Sequence, residues 1–385
     1  MLGLARSGRA AAASLERRGI EVVRADRELG TDGDTSSLEG VGLLVKSPGV
    51  PGEATLVAAA RDRGIPVWSE VELAYRLMPN PIVGITGTNG KTTSAEWLGF
   101  LLGAPVAGNV GRALSELDGE VEPDQLVVCE LSSFQLEDIH AFRPRIAVLL
   151  NLEPDHLDRH GSFEAYRSAK LRIFENQTPE DAAVVPRDLD HKLRGRRIEF
   201  SAGDPLPAEP SLRGAHNREN AAAVTAAARV VGATEEQIAT GLREFRGVPH
   251  RLELVAEHGG VRYVNDSKAT NVAAALRALA AYEDEPVRLI LGGSRKGEDF
   301  APLAAALGPN IRAVYVLGET ADELARAIPD TIQAGDLATA VERAAAAAQP
   351  GEVILLSPAC ASYDQFRDFE ERGEEFRRLV ENLPM

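Results

Sequence analysis

The chain has 385 residues, with 44% hydrophobic and 26% charged side chains. That composition suits a globular protein with sizeable apolar cores and room for two or three domains. A formal net charge of -16 argues against a nucleic-acid partner, though not against small phosphorylated ligands held by local donors. No apolar run reaches membrane-spanning length and no signal-peptide pattern opens the chain, so no membrane partner and a cytoplasmic location are expected. The two cysteines, Cys129 and Cys360, lie in or just after apolar runs and are expected as buried free thiols.

The first residues, MLGLARSG, read as the glycine turn of a Rossmann-type βα unit leading into a helix from Arg9 to Arg18, but without the strand that should precede such a turn. The expectation is a parallel sheet lacking one central strand. A start downstream of the natural one is preferred over a sheet completed another way. Strand patterns follow at Glu21–Asp26 and Gly42–Lys46, the second ending in the turn Ser47-Pro48-Gly49-Val50-Pro51. Residues 53–63 predict an amphipathic helix, and Ile65–Trp68 a short strand. The prolines of Pro79-Asn80-Pro81 suit a linker, closing an α/β domain of residues 1–80.

The second segment, 81–247, opens on the most informative stretch, GITGTNGKTT at residues 84–93, between an apolar run and a helix-forming run. A strand, a glycine-rich turn and a helix make a phosphate cradle from backbone N–H groups and the positive end of the helix dipole. Gly87 and Gly90 permit close backbone approach, Lys91 supplies a point charge, and the Thr92 hydroxyl suits Mg²⁺. The generic P-loop pattern wants Gly at position 85, where this chain has Ile85. Nucleoside-triphosphate binding is expected nonetheless. Strands Leu126–Glu130 and Ile146–Asn151 end in polar residues, so Thr86, Glu130 and Asn151 lie at strand carboxyl ends, where open α/β sheets bind ligands. Glu130 could bind Mg²⁺ or be a solvated strand end. The loop at 151–160 could use His156 as a metal ligand or be merely polar. Lys170, on a helix predicted over 163–176, reads from the residues alone as an exposed lysine. Helices are also predicted at 217–232 and 234–245; Asn217 and Asn220 open the first of them with side-chain amides suited to a base edge or a cap.

The third segment, 248–385, shows four strand patterns, at Arg262–Asp266, Val287–Leu291, Ala313–Leu317 and Val353–Leu356, alternating with Ala-rich helices. This predicts a doubly wound sheet. Arg251 could clamp a phosphate. Asp266 could take ribose hydroxyls and Lys268 a phosphate, or their loop could be a polar helix cap. Lys296 follows the second strand. The run from Leu356 to Phe366 offers small turns and hydroxyls suited to a carboxylate, with Phe369 just beyond.

The stretches GITGTNGKTT, ELSSFQLE, LNLEPDHLDRH, AYRSAKLRIF, HNRENAAA, GVPHRLE, NDSKATN and LLSPACASYDQFRDFEERGEEF, in this order, resemble the Mur ligases over nearly the whole chain. The family's own loop has the form seen at Ile85. The resemblance implies three domains: a Rossmann-like UDP-binding one (1–80), a central P-loop-type ATPase (81–247) and a C-terminal Rossmann-like one (248–385) for the incoming amino acid. ELSSFQL and the SPACAS stretch point to D-glutamate as that amino acid and to UDP-MurNAc-L-Ala as acceptor, joined with ATP through an acyl phosphate in peptidoglycan precursor synthesis.

The implied ATP contacts are Gly87, Thr88, Asn89, Gly90, Lys91, Thr92, Thr93, Asn220, Arg251 and Asp266. Two Mg²⁺ ions would be served by Thr92, Glu130, His156 and Lys170, with Lys170 turned into a carbamate by CO₂, which reverses its plainer reading. Lys91, His156, Lys170, Arg251 and Lys268 would be catalytic. Ser47, Asn109, Ser132, Ser133 and His156 would contact the UDP-sugar. Thr270, Lys296, Ser362, Tyr363 and Phe369 would surround D-glutamate. A monomer is expected. Ala5, where the family's turn usually has glycine, puts the UDP contacts in doubt. The competing readings are a sister amide ligase such as a folylpolyglutamate synthase, a nucleotide-gated binding protein without turnover, and an NAD-dependent oxidoreductase built on the turn at residues 3–8.

Overall fold

The computed structural model describes every residue except Arg213, Lys296, Glu298, Pro384 and Met385, and only the backbone of Asp158. The expected D-glutamate contact Lys296 therefore lies outside the described residues. The chain divides into two compact units, Met1–Phe245 and Arg246–Met385, and carries three sheets.

The first unit begins with a small parallel pair, β1 (Leu44–Lys46) and β2 (Val67–Ser69), among the helices Arg6–Arg17, Thr55–Asp62 and Glu70–Leu77. The expected strand at Glu21–Asp26 is not formed. Only Ala25 pairs, through an isolated bridge to Leu2, which also bridges Lys46. Leu2 thus sits between the two segments that a central strand would join, donating to Val45 O at 2.8 Å while Gly3 donates to Ala25 O at 2.9 Å. Met1 N donates to Val23 O at 2.7 Å and the Ala25 N–H to Met1 O at 2.9 Å, yet no continuous ladder forms and Val23 stays 44% exposed.

Residues 1–80 are tied to the larger sheet of this unit by buried carboxylates. Glu72, fully buried, accepts from the backbone N–H groups of His140, Ala141 and Phe142 at 2.8–3.0 Å and from Arg76 at 2.6 Å. Burial alone would push its carboxyl up, but these donors outweigh it and hold the group below its ordinary value. Asp118 is paired with Arg18, and Glu70 accepts from the Ser115 N–H at 2.6 Å.

The larger sheet has six parallel strands: β3 (Ile82–Thr86), β4 (Val106–Gly108), β5 (Val127–Glu130), β6 (Ile146–Leu149), β7 (Ala182–Pro186) and β8 (Arg196–Phe200), in the order β4-β5-β3-β6-β7-β8. β3 to β6 except β4 are buried along their whole length, as continuous apolar runs in a parallel sheet should be. Side chains alternate between two cores. Val83, Ile85, Val128 and Val148 face helices Lys91–Leu102 and Ala215–Val231, whereas Ile82, Val127, Cys129 and Leu149 pack toward Val71, Ala74 and Phe142. Trp97 closes the first core, stacked on Phe245 and donating its indole N–H to Gly241 O at 2.9 Å. The helix expected over 163–176 runs Phe163–Leu171 and tightens into a 3₁₀ turn, Arg172–Phe174.

The second unit holds a six-stranded sheet of β9 (Glu253–His258), β10 (Val261–Asn265), β11 (Val287–Gly292), β12 (Ile311–Leu317), β13 (Ile332–Gly335) and β14 (Val353–Leu356), in the order β13-β12-β11-β14-β10-β9. Only β9 runs antiparallel. Helices lie on both faces: Val272–Ala281 and Ala321–Ala327 over one core, Leu337–Ala347 and Phe369–Glu381 over the other. The four expected strands are present; β9 and β13 add one at each edge.

Candidate functional site

The phosphate loop joins β3 to the helix Lys91–Leu102. Gly90 caps that helix at φ 80, and a Cβ there would lie 2.3 Å from Asn220 Oδ1. A Cβ on Gly87 would come within 2.9 Å of Leu150 Cβ. Both positions therefore exclude side chains. The loop is pinned to the residues after β6: the N–H groups of Thr88 and Asn89 donate to Asn151 O and Oδ1 at 3.1 and 2.8 Å, and Asn89 Nδ2 donates to Glu153 Oε2 at 2.8 Å. The first-turn N–H groups of Lys91, Thr92 and Thr93 are those a helix leaves for an anion.

Two lysines converge on this loop. Lys91 Nζ donates to Gly87 O and Thr88 O at 2.9 and 2.8 Å. Lys170 Nζ donates to the same Gly87 O at 2.6 Å and lies 4.7 Å from the centre of the Tyr166 ring. Lys170 is 2% exposed, not the exposed lysine its helix suggests. Burial, and then the charge of Lys91, lower its pKa to about 7, against the opposing pull of Asp155 and Glu130. Tyr166, which the sequence did not single out, donates to Thr88 Oγ1 at 3.0 Å and fixes the helix carrying Lys170 to the loop.

Glu130 ends β5, buried at 2% exposure, with Oε1 accepting from Asn109 Nδ2 at 2.9 Å. Thr92 and Glu130 offer hard oxygen donors of the kind Mg²⁺ takes. Among the described residues no group of three or more His, Cys, Asp or Glu side chains is set to cage a metal. One carboxylate and one hydroxyl beside a phosphate cradle fit Mg²⁺, which keeps waters and phosphate oxygens in its shell. His156 caps the short helix Leu157–His160 at φ 50, with its ring 5.0 Å from that of Phe134 and its side chain half exposed.

The expected sugar-nucleotide contacts Ser47, Ser132 and Ser133 all have internal duties. Ser47 Oγ donates to Gly3 O at 2.7 Å, Ser132 caps the turn Ser133–Leu136 in a capping box with Gln135, and Ser133 Oγ lies 3.0 Å from His160 Nε2.

In the second unit, Asp266 follows β10, 5% exposed, accepting from Ser357 Oγ at 2.8 Å and the Leu252 N–H at 3.2 Å. Burial raises its pKa to about 6; Ser357, Leu252, Arg251 and Arg277 oppose the rise. The Lys268 ammonium lies 5.7 Å from the Phe369 ring centre, and Ser267 Oγ donates to Phe369 O at 2.8 Å. Thr270 closes the loop before the helix at Val272, Ser362 is buried, and Tyr363 is 70% exposed. Arg372 was missed from sequence. Fully buried, it donates to Ser267 Oγ and O at 2.9 and 2.8 Å, Cys360 O at 3.0 Å and Ala361 O at 3.2 Å, so it binds the loop after β10 to the loop after β14. Burial lowers its pKa to about 10. A helical arginine among glutamates reads from sequence as a solvated ion pair, and nothing local marks it otherwise.

Residues 85–204 match the Mur ligase middle domain, and residues 250–360 the Mur ligase glutamate ligase domain. The UDP-N-acetylmuramoylalanine--D-glutamate ligase of Anaeromyxobacter dehalogenans (strain 2CP-C) is 44% identical, over 99% of this chain and 96% of its own. This chain belongs to the Mur ligase family. The enzyme of the same name from Geobacillus kaustophilus (strain HTA426) is 41% identical over 100% of this chain and 97% of its own. Among solved Mur ligases, MurF of Thermotoga maritima in complex with ADP shares the fold with a TM-score of 0.56 at 19% identity, covering 89% of this chain and 96% of its own. MurC of the same organism gives 0.55 at 20% identity over 99% and 98%. Membership removes the oxidoreductase reading of the first turn.

Proposed function

We propose that this protein uses ATP to join D-glutamate to UDP-N-acetylmuramoyl-L-alanine, as a cytoplasmic monomer in peptidoglycan precursor synthesis. Among the described residues no helix is long and apolar enough to cross a membrane. The observation that carries the reading is the glycine cradle with two lysines on one carbonyl, in a chain whose full-length relatives bear that ligase name.

A carboxylate is a poor acylating agent. Transfer of the γ-phosphoryl group to the L-alanyl carboxylate makes an acyl phosphate. The D-glutamate amine then attacks its carbonyl carbon, forming the C–N bond as the C–O bond to phosphate breaks, and the nitrogen loses a proton. The reactants are all anionic, so the protein's part is to position them and offset their repulsion. Lys91 exchanges the Gly87 and Thr88 carbonyls for phosphate oxygens, and Thr88, Asn89, Gly90, Thr92 and Thr93 line the cradle. Thr92, Glu130 and His156 would hold two Mg²⁺ ions, whose charge would offset repulsion among the anionic reactants.

Lys170 takes up CO₂. The neutral amine adds to the carbon and a proton leaves the nitrogen, giving an anionic carbamate that would serve as a carboxylate-like ligand for Mg²⁺. Burial supports this, because it keeps much of the amine neutral near pH 7. Asn220 and Asp266 serve adenosine, Arg251 and Lys268 phosphate, Ser47 and Asn109 the sugar nucleotide, and Thr270, Ser362, Tyr363 and Phe369 D-glutamate. The first domain holds UDP, the central one ATP, and the third the amino acid. A ligation assay with UDP-MurNAc-L-Ala and a panel of L- and D-amino acids tests the reading, and preference for another amino acid would make the protein a sister ligase.

A further inference from the structure

Arg159 lies in the short helix Leu157–His160. Its Nη2 donates to Pro48 O at 2.9 Å and to Val50 O at 3.0 Å, more than a hundred residues away in the chain. Its guanidinium carbon lies 3.7 Å from the centre of the Phe134 ring. The Val50 carbonyl also accepts from Lys46 Nζ at 3.1 Å, and that buried lysine pairs with Asp138 at 3.0 Å. The turn Ser47–Pro51 is thus gripped by its carbonyls. Within the turn the Val50 N–H donates to Ser47 O at 3.0 Å, and Ser47 is tied to the first residues through Leu2 O at 2.9 Å and Gly3 O at 2.7 Å; Pro48 and Pro51 have no N–H to add.

The Phe134 ring carries the contact onward. The His160 ring stacks on it, with centroids 5.3 Å apart and planes 12° apart, and His160 meets the Tyr166 ring edge-on at 5.3 Å. Tyr166 reaches Thr88 in the phosphate loop and Lys170. The His160 side chain is 4% exposed and is fixed by Ser133 and Glu137 at 3.0 and 3.3 Å. One packed line of side chains therefore runs from the Ser47 turn to the phosphate loop.

We infer that Arg159 is a positioning residue for the sugar-nucleotide substrate, holding the Ser47 turn at a fixed place relative to the phosphate loop through the Phe134–His160–Tyr166 stack. The inference rests on the reading of that turn as part of the sugar-nucleotide site. The acyl acceptor must present its carboxylate to the γ-phosphate, and small misplacements of a bound group cost large factors in rate.

The test is calorimetric binding of UDP-MurNAc-L-Ala and, separately, of a non-hydrolysable ATP analogue to the full chain, its Arg159→Ala variant and its Phe134→Leu variant, each with a melting curve. Loss of the half-buried cation–π contact, with the Arg159 hydrogen bonds in one variant and the stacking surface in the other, predicts a Kd for the sugar nucleotide raised about tenfold in both variants. The nucleotide Kd should stay within about twofold, because the cradle is built by other residues. A sugar-nucleotide Kd unchanged in folded Arg159→Ala overturns the inference, as does a parallel loss of both ligands and of melting temperature, the mark of a merely structural role. A wild-type protein that does not bind UDP-MurNAc-L-Ala overturns the underlying reading and the inference with it.

Discussion

A buried amine with a pKa of about 7 has chemistry that a surface lysine lacks, and Lys170 is such an amine. Only the neutral form adds CO₂. At fixed dissolved CO₂, reactivation of CO₂-stripped enzyme should therefore quicken as pH rises through about 7 and then level off; a rate independent of pH between 6 and 8 would remove the carbamate from the account. Lys170→Ala should be nearly inactive and partly rescued by short carboxylates that occupy the vacated position. Lys91→Ala should lose on the order of 10³-fold or more in turnover, with its fold intact by circular dichroism; a near-native rate would take Lys91 out of phosphoryl transfer. Asp266 gives a pH test of the opposite sign. Its pKa is raised to about 6 by burial, so the folded state binds a proton more tightly than the unfolded state. The stability this brings is full below the unfolded pKa and is lost as pH rises through about 6. Asp266→Asn keeps an acceptor for Leu252 and a partner for Ser357, so it should raise the melting temperature more at pH 8 than at pH 5. An equal shift at both values would contradict the burial argument.

Between elements, residues 1–80 are tied down by buried carboxylates, some accepting backbone N–H groups and some paired with arginines. Glu72 is the clearest, with the N–H groups of residues 140–142 around it. Its depressed pKa contributes stability that is present above the unfolded carboxylate value and lost as pH falls. Glu72→Ala leaves three buried donors unsatisfied and should destabilise the first unit by more than about 3 kcal/mol, read from denaturant unfolding; a cost under about 1 kcal/mol would show the joint to be incidental. Nothing in the sequence marks Glu72, because it sits in an amphipathic helix with polar neighbours. Several strands with a continuous apolar run were legible, as at Val127–Glu130 and Val353–Leu356, though Ala182–Pro186, buried likewise, was not. β8 and β9 were not, since edge strands such as Arg196–Phe200 and Glu253–His258 carry exposed charges. The strand expected at Glu21–Asp26 failed for another reason: its apolar pattern is real, but its pairing with residues 1–3 amounts to one isolated bridge, Leu2 to Ala25.

At the scale of the molecule, glycine turns and polar residues at strand carboxyl ends could be located from sequence, since glycine spacing and strand ends are local properties. Gly87, Gly90, Lys91 and Glu130 could be placed on that ground. Side chains whose work depends on distant partners, such as Tyr166, Arg159 and Arg372, could not, for each is bound to loops far along the chain. The central claim is that this assembly makes an amide bond between two particular substrates, and phosphate release tests it most directly. With ATP and Mg²⁺ present, release should require both UDP-MurNAc-L-Ala and D-glutamate, and should fall to background when either is left out. Equal release with L-glutamate in place of D-glutamate, or ADP formation with neither substrate present, would contradict the account.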